Sequence, residues 1–187
     1  MDFKKRIQEH QEIINKLIND SVQIEASEKI ADICRKAIKN GNKILICGNG
    51  GSAADSQHIA AEFVGRFVKE RRGLPAIALT TDTSVLTAIG NDYGYDEVFR
   101  RQVEALGNKG DVLIGISTSG NSCNIVKAFA QATKQGLITV AFTGAEKSRM
   151  SEFADVTLRI PTSVTARVQE CHIMVGHMIC EAVDEDY

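Results

Sequence analysis

No apolar run in these 187 residues approaches the roughly 20 that a membrane-spanning helix needs, which argues against a helical membrane protein. Neither sign of charge is in excess: 22 Lys and Arg stand against 24 Asp and Glu, a net charge of -2 scattered along the chain. There is therefore no basic footprint for nucleic acid. Cys34, Cys47, Cys123, Cys171 and Cys180 form an odd set without C-x-x-C spacing, so neither a disulfide framework nor a zinc knuckle is expected. Internal repeats, low-complexity tracts and linkers are also lacking, which leaves one domain over 1–187. The start, Met1-Asp2-Phe3-Lys4-Lys5-Arg6, is polar and has no apolar signal core. With the unpaired thiols, it reads as a protein of a reducing cytoplasm.

The chain does carry an ordinary globular balance, 43% hydrophobic and 25% charged residues, at a length that supports a single core. Residues 2–39 contain no Pro or Gly and place Phe3, Ile7, Ile14 and Leu17 near heptad spacing. Ile30, Ile33, Ala37 and Ile38 continue the stripe, with His10 and Ser21 interrupting it. This predicts a long N-terminal helical segment over 1–40. Its stripe is wider than one small domain covers, so packing against another subunit is expected, with a helix folded back on its own sheet as the alternative.

From Asn42 the pattern changes. Short apolar runs at 43–47, 76–80, 112–116, 137–142 and 156–160 alternate with helical stretches, one of them from Ala53 to about Val68. Strands apolar throughout and separated by helices predict a mostly parallel sheet covered on both faces, an α/β three-layer sandwich over 41–187. Ligands of such sheets bind beyond the carboxyl ends of the strands. Two Gly/Ser-rich turns fall at that edge.

The first turn, Gly48-Asn49-Gly50-Gly51-Ser52-Ala53, formally matches the dinucleotide fingerprint G-x-G-x-x-A. The acidic partner expected about 20 residues later is missing, since the second strand ends near Asp82. The simpler use of these glycines is to bring backbone N–H groups close to an anion or to sugar hydroxyls. The second turn, Ser117-Thr118-Ser119-Gly120-Asn121-Ser122, places four hydroxyls between a buried strand and a helix start. Helix capping would use one of them. Four suit a phosphate held without Lys or Arg.

These residues, together with His58-Ile59-Ala60-Ala61-Glu62-Phe63, Asn91-Asp92, and Gln169-Glu170-Cys171-His172 with His177, resemble the sugar isomerase (SIS) domain family, and within it the phosphoheptose isomerases. The resemblance spans nearly the whole chain. It implies an aldose–ketose isomerase converting sedoheptulose 7-phosphate to D-glycero-D-manno-heptose 7-phosphate, the first step toward activated heptose for bacterial surface polysaccharide. A homotetramer is implied too, with pockets at subunit boundaries. The same family includes non-catalytic partners of the bacterial replication initiator and proteins acting on other phosphosugars, which are the rival readings.

An aldose–ketose isomerase needs a base over carbon, an acid near the oxygens, and stabilisation of oxyanion charge. Glu62, flanked by Ile59, Ala60, Ala61, Phe63 and Val64, is suited to a pocket-facing carboxylate and is the expected base. By the resemblance, His177 is the acid. His58 and Glu62 are four apart on one helix face and could share a metal ion. The resemblance implies zinc on His58, Glu62, Gln169 and His177, whereas helical periodicity aligns Glu170, seven before His177, better than Gln169. Asn49, Gly50, Gly51, Ser52, Asn91, Asp92 and Gln169 are expected to bind the sugar along with Glu62, and Ser117, Thr118, Ser119 and Ser122 the phosphate. Asn91-Asp92 reads as a loop that could bind sugar hydroxyls, with a helix-ending Asn and turn Asp as the alternative, Arg66 as able to orient Glu62 or meet a neighbouring subunit, Arg71-Arg72 as a solvated loop, and Cys47 and Cys123 as packing residues.

Overall fold

The computed structural model describes the whole chain, Met1–Tyr187. The five apolar runs form β1 (Ile44–Gly48), β2 (Ala76–Ala78), β3 (Val112–Ile116), β4 (Ile138–Thr143) and β5 (Val156–Arg159). Every neighbouring pair is parallel, in the order β2-β1-β3-β4-β5. Parallel strands need crossovers, and these come from helices α3 (Gly51–Val64), α4 (Thr83–Tyr93), α5 (Val98–Leu106), α6 (Cys123–Gln135) and the short α7 (Met150–Phe153). Two N-terminal helices, α1 (Phe3–Ile18) and α2 (Ser21–Lys39), and a last one, α8 (Thr165–Asp184), complete the molecule.

Alternation along the strands divides the interior into two cores. Ile44, Ile46, Val112, Ile114 and Val140 face one side, with α2, α3 and α8. Leu45, Cys47, Leu113 and Ala141 face the other, with α5 and α6. This is the three-layer α/β sandwich expected from the sequence.

The N-terminal segment is helical as expected, but as two helices. It breaks at Asn19 and Asp20, whose short polar side chains compete for backbone groups. Asn19 Nδ2 donates to the Asn15 carbonyl at 2.7 Å, and the Asp20 carboxylate accepts from Gln23 N–H at 3.2 Å as an N-cap. The chain then turns, and α2 folds back on the sheet to bury Ile30, Ala31, Cys34, Ala37 and Ile38. The Gln23 side-chain oxygen accepts from the Arg159 N–H at 2.7 Å, covering part of edge strand β5. α1 leans on α2 and α8 through Ile13 and Leu17 while Phe3, Ile7 and Ile18 stay exposed. Ile14, Leu17, Ile24, Met174 and Met178 line an apolar groove between these three helices.

Candidate functional site

Strand order reverses between β1 and β3, because β2 lies on one side of β1 and all later strands on the other. The turns that leave β1 and β3 flank this switch point, where parallel sheets bind ligands. Asn49 and Asn124 exchange side-chain amide hydrogen bonds of 3.0 and 2.9 Å, tying the first turn to the start of α6. The Asn49 side chain is thereby engaged with protein, and the turn offers its backbone instead. No protein acceptor takes the Gly50 and Gly51 N–H groups at the positive end of α3. Ser52 is buried behind them. A Cβ on Gly51 would lie 2.4 Å from Gln169 Nε2, so the Gln169 amide rests directly on the turn.

In the second turn, the buried Ser117 hydroxyl lies 3.1 Å from Ser122 Oγ and 3.4 Å from Ser119 Oγ. Gly120, at φ +64°, bends the chain so that its N–H donates to Ser117 Oγ at 3.1 Å, and Asn121 N–H donates to Ser119 Oγ at 3.2 Å. Ser122 occupies the N-cap position of α6 yet makes no side-chain cap bond. Capping therefore does not account for this serine. The N–H groups of Cys123 and Asn124 have no protein acceptor and lie at the positive end of the helix that follows the hydroxyls. Thr118 is half-buried, and its carbonyl accepts from Gly144 N–H at 3.0 Å. The arrangement is a cradle for an anion.

The third group lies between α3 and α8, which run side by side in the same direction. Gln169 meets Gly51 near their starts, and Ile59 fills the space a Cβ on Gly176 would take, 2.7 Å from Ile59 Cδ1. That close approach lets His58 Nε2 come within 2.9 Å of His177 Nε2 and 3.3 Å of Glu62 Oε1. One chain thus brings Glu62 and His177 together, and the ligand atoms of the three residues lie within 4.8 Å of one another. Ligands at about 2.0–2.2 Å from one tetrahedral zinc stand roughly 3.4 Å apart, near the 2.9 and 3.3 Å separations of His58 from His177 and Glu62, so two imidazole nitrogens and a carboxylate are a donor set that small side-chain shifts would close on that ion. Phe67 packs beside His177 with its ring tilted by 35°, centroids 5.9 Å apart.

Gln169 would join those three residues only by swinging its amide off Gly51. Glu170, favoured by periodicity, turns elsewhere: its oxygens lie 2.6 Å from Arg167 Nη2 and 2.8 Å from His10 Nδ1, joining α8 to itself and to α1. Asp55, one turn before His58 and the last residue of the Gly48–Asp55 motif, carries no role from the sequence alone, although its i, i+3 spacing from the histidine is visible there. Its Oδ2 is buried without a partner, and desolvation raises its pKa against the lowering effect of His58.

Of the remaining expectations, some hold and others are corrected. Asn91 and Asp92 lie in the last turn of α4 and not in a loop, exposed, with Asn91 Nδ2 donating to Asp92 Oδ1 at 2.8 Å. Arg66 turns to Glu70 at 3.7 Å, both well exposed. Cys47 is buried in the core, whereas Cys123 is exposed and does not pack. Arg72 is solvated, but Arg71 is buried to 2% exposure on Asp184.

A chain with a five-stranded parallel sheet, a Ser/Thr cradle after its third strand and a His/Glu group between flanking helices has the architecture of a phosphosugar-binding SIS domain. The SIS domain family model matches residues 7–144, and the chain belongs to that family. Its curated relatives are phosphoheptose isomerases: that of Aliarcobacter butzleri is 58% identical over 177 residues, covering 95% of this chain and 93% of its own. That of Aquifex aeolicus is 58% identical over 156 residues, 83% and 82% of the two chains. The solved phosphoheptose isomerase of Neisseria gonorrhoeae superposes with a TM-score of 0.88 at 44% identity, covering 98% of this chain and 100% of that one.

Proposed function

We infer that this chain is an aldose–ketose isomerase that interconverts sedoheptulose 7-phosphate and D-glycero-D-manno-heptose 7-phosphate, a step toward activated heptose. The observation that carries the reading is the placement, in one chain, of Glu62 and His177 beside His58, together with the hydroxyl cradle at the switch point. The phosphate sits among Ser117, Thr118, Ser119 and Ser122 and the first N–H groups of α6. The sugar lies along the first turn, Asn49 to Ser52, with Gln169 above Gly51. Asn91 and Asp92 contribute to the same sugar site.

Glu62 removes the proton from one of the two reacting carbons, and the electron pair left behind forms the enediol double bond as the carbonyl oxygen takes a proton from His177. Return of a proton to the neighbouring carbon from Glu62, with loss of the other hydroxyl proton to His177, completes the exchange. The half-buried Glu62 and its apolar neighbours limit water at that step. His58, Glu62 and His177, with Gln169 as a fourth ligand after its amide swings, would hold zinc, which when bound supplies Lewis acidity toward the substrate oxygens and would compete with the proton-transfer roles of Glu62 and His177.

Glu62 lies eleven residues into α3 from Gly51, about 16 Å along the helix axis. That span and the exposed apolar faces of α1, α2 and α8 support a homotetramer, working in the cytoplasm, whose pockets close between subunits. No helix is long and apolar enough to cross a membrane.

The test is turnover of sedoheptulose 7-phosphate by the wild type, Glu62→Gln and His177→Ala, each with and without zinc. The reading expects wild-type activity, lost in both variants with assembly intact. A wild type inactive even with zinc sinks it in favour of another phosphosugar or a protein partner.

A further inference from the structure

We propose that Arg71 and Asp184 form a positioning clamp that sets the register between Glu62 and His177; this rests on the acid/base reading of those two residues. A helix leaves its last carbonyls without intrahelical donors, and a cation near that end is favoured by the dipole. α3 has no basic residue in its last turn. Arg71, beyond the helix, supplies both needs. Its Nη2 donates to the carbonyl of Glu62 itself at 2.9 Å, and its Nη1 to the carbonyls of Phe63 at 3.0 Å and Gly65 at 3.3 Å. The turn that carries the base is thus held by three hydrogen bonds from one guanidinium.

The other half of the clamp comes from the helix that carries His177. Asp184 is the last residue of α8, an end where a carboxylate opposes the helix dipole. It is buried to 3% exposure and accepts from Arg71 Nε at 2.5 Å, from Val68 N–H at 3.0 Å and from Lys69 N–H at 2.7 Å. Against the desolvation of burial, an acid so placed at a disfavoured helix end is stabilised by the Lys69 and Val68 N–H groups together with the Arg71 guanidinium, which hold its carboxyl below the usual range. Arg71 therefore grips the end of α3 with its two Nη groups and the end of α8 with its Nε. Both helices are fixed one turn or two from the pair whose relative placement decides proton transfer. Burial keeps the guanidinium from alternative partners, and its planar fork makes the geometry specific in a way an ammonium does not.

Removing one partner of a buried pair leaves an uncompensated charge and can unfold the protein, whereas replacing both with apolar groups of similar volume is often tolerated. The decisive variant is therefore the double Arg71→Met/Asp184→Leu, with Arg71→Lys beside it. Displacement of reacting groups by about 1 Å costs on the order of 100-fold in rate. For sedoheptulose 7-phosphate, the folded double variant is expected to lose about that much kcat with KM within about threefold, and Arg71→Lys to lose less. Cobalt(II) titrated as a spectroscopic probe of His58, Glu62 and His177 is expected to bind at least about tenfold more weakly, because the donors no longer converge.

A folded double variant with wild-type kcat and wild-type cobalt affinity overturns the clamp. Weaker cobalt binding in the variant, with no turnover by the wild type, overturns the isomerase reading and upholds the clamp's hold on the three side chains. A wild type that neither turns over nor binds cobalt removes both.

Discussion

The Gln169 amide lies on Gly51 so closely that a Cβ there would stand 2.4 Å from Nε2. The obstruction is the far end of a flexible side chain, and the backbone at Gly51 is helical, so Gly51→Ala should fold well. An alanine in a helix is favoured over glycine by up to about 1 kcal/mol. The variant is therefore expected to match or exceed the wild-type melting temperature while its KM rises about tenfold, since Gln169 is pushed off the sugar-facing turn. Unchanged KM would show that the contact has no part in binding.

The phosphate cradle predicts a different division of effects. Ser119 and Ser122 donate no cap and bury no large surface, so Ser119→Ala/Ser122→Ala should leave stability within about 0.5 kcal/mol. Each lost hydroxyl contact to the phosphate is worth about 1 kcal/mol. KM for sedoheptulose 7-phosphate should therefore rise roughly 10- to 30-fold, with inorganic phosphate weakened as a competitor to the same degree. A fall in kcat at constant KM would place the phosphate elsewhere.

His172 gives a pH signature. It is fully buried on α8, its Nε2 lies 3.1 Å from the Thr143 carbonyl, and its Nδ1 has no partner. Desolvation outweighs that hydrogen bond and lowers its pKa from 6.5 to about 4. The unfolded chain thus takes up the proton more readily than the folded one, so stability falls as pH drops from 6.5 toward 4 and is flat above. At 1.36 kcal/mol per unit the loss reaches about 3 kcal/mol. Thermal melts between pH 7 and 4.5 should show His172→Gln losing less stability than the wild type; parallel acid limbs would refute this.

Strands and turns were legible because their signals are local: apolar runs buried on both faces, then glycines or hydroxyls at the carboxyl edge. What escaped was set by distant partners. Lys69-Glu70-Arg71-Arg72 reads as a solvated charge run until Asp184, 113 residues away, takes Arg71 into the interior. The choice between Gln169 and Glu170 could not be made from periodicity, because His10 on α1 and the neighbouring Arg167 draw Glu170 aside. Asn19 and Asp20 were a local signal: two helix-ending residues inside an otherwise unbroken apolar stripe.

The groove between α1, α2 and α8 predicts the assembly. Ile18, Ile24 and Met178 remain 64%, 41% and 53% exposed around it, more apolar surface than an isolated chain gains by showing to water. Met178 follows His177 directly and points away from the core that Ile179 enters, so a change there tests the interface without emptying the interior. Met178→Glu places a charge in the apolar groove, where burial without a partner is costly. Sedimentation velocity should show the proposed homotetramer giving way to smaller species while circular dichroism stays native. If pockets close between subunits, turnover should fall with the tetramer fraction and recover as protein concentration is raised. A variant that stays tetrameric would exclude this groove as the contact, and a dissociated variant with full activity would place the complete site in one chain.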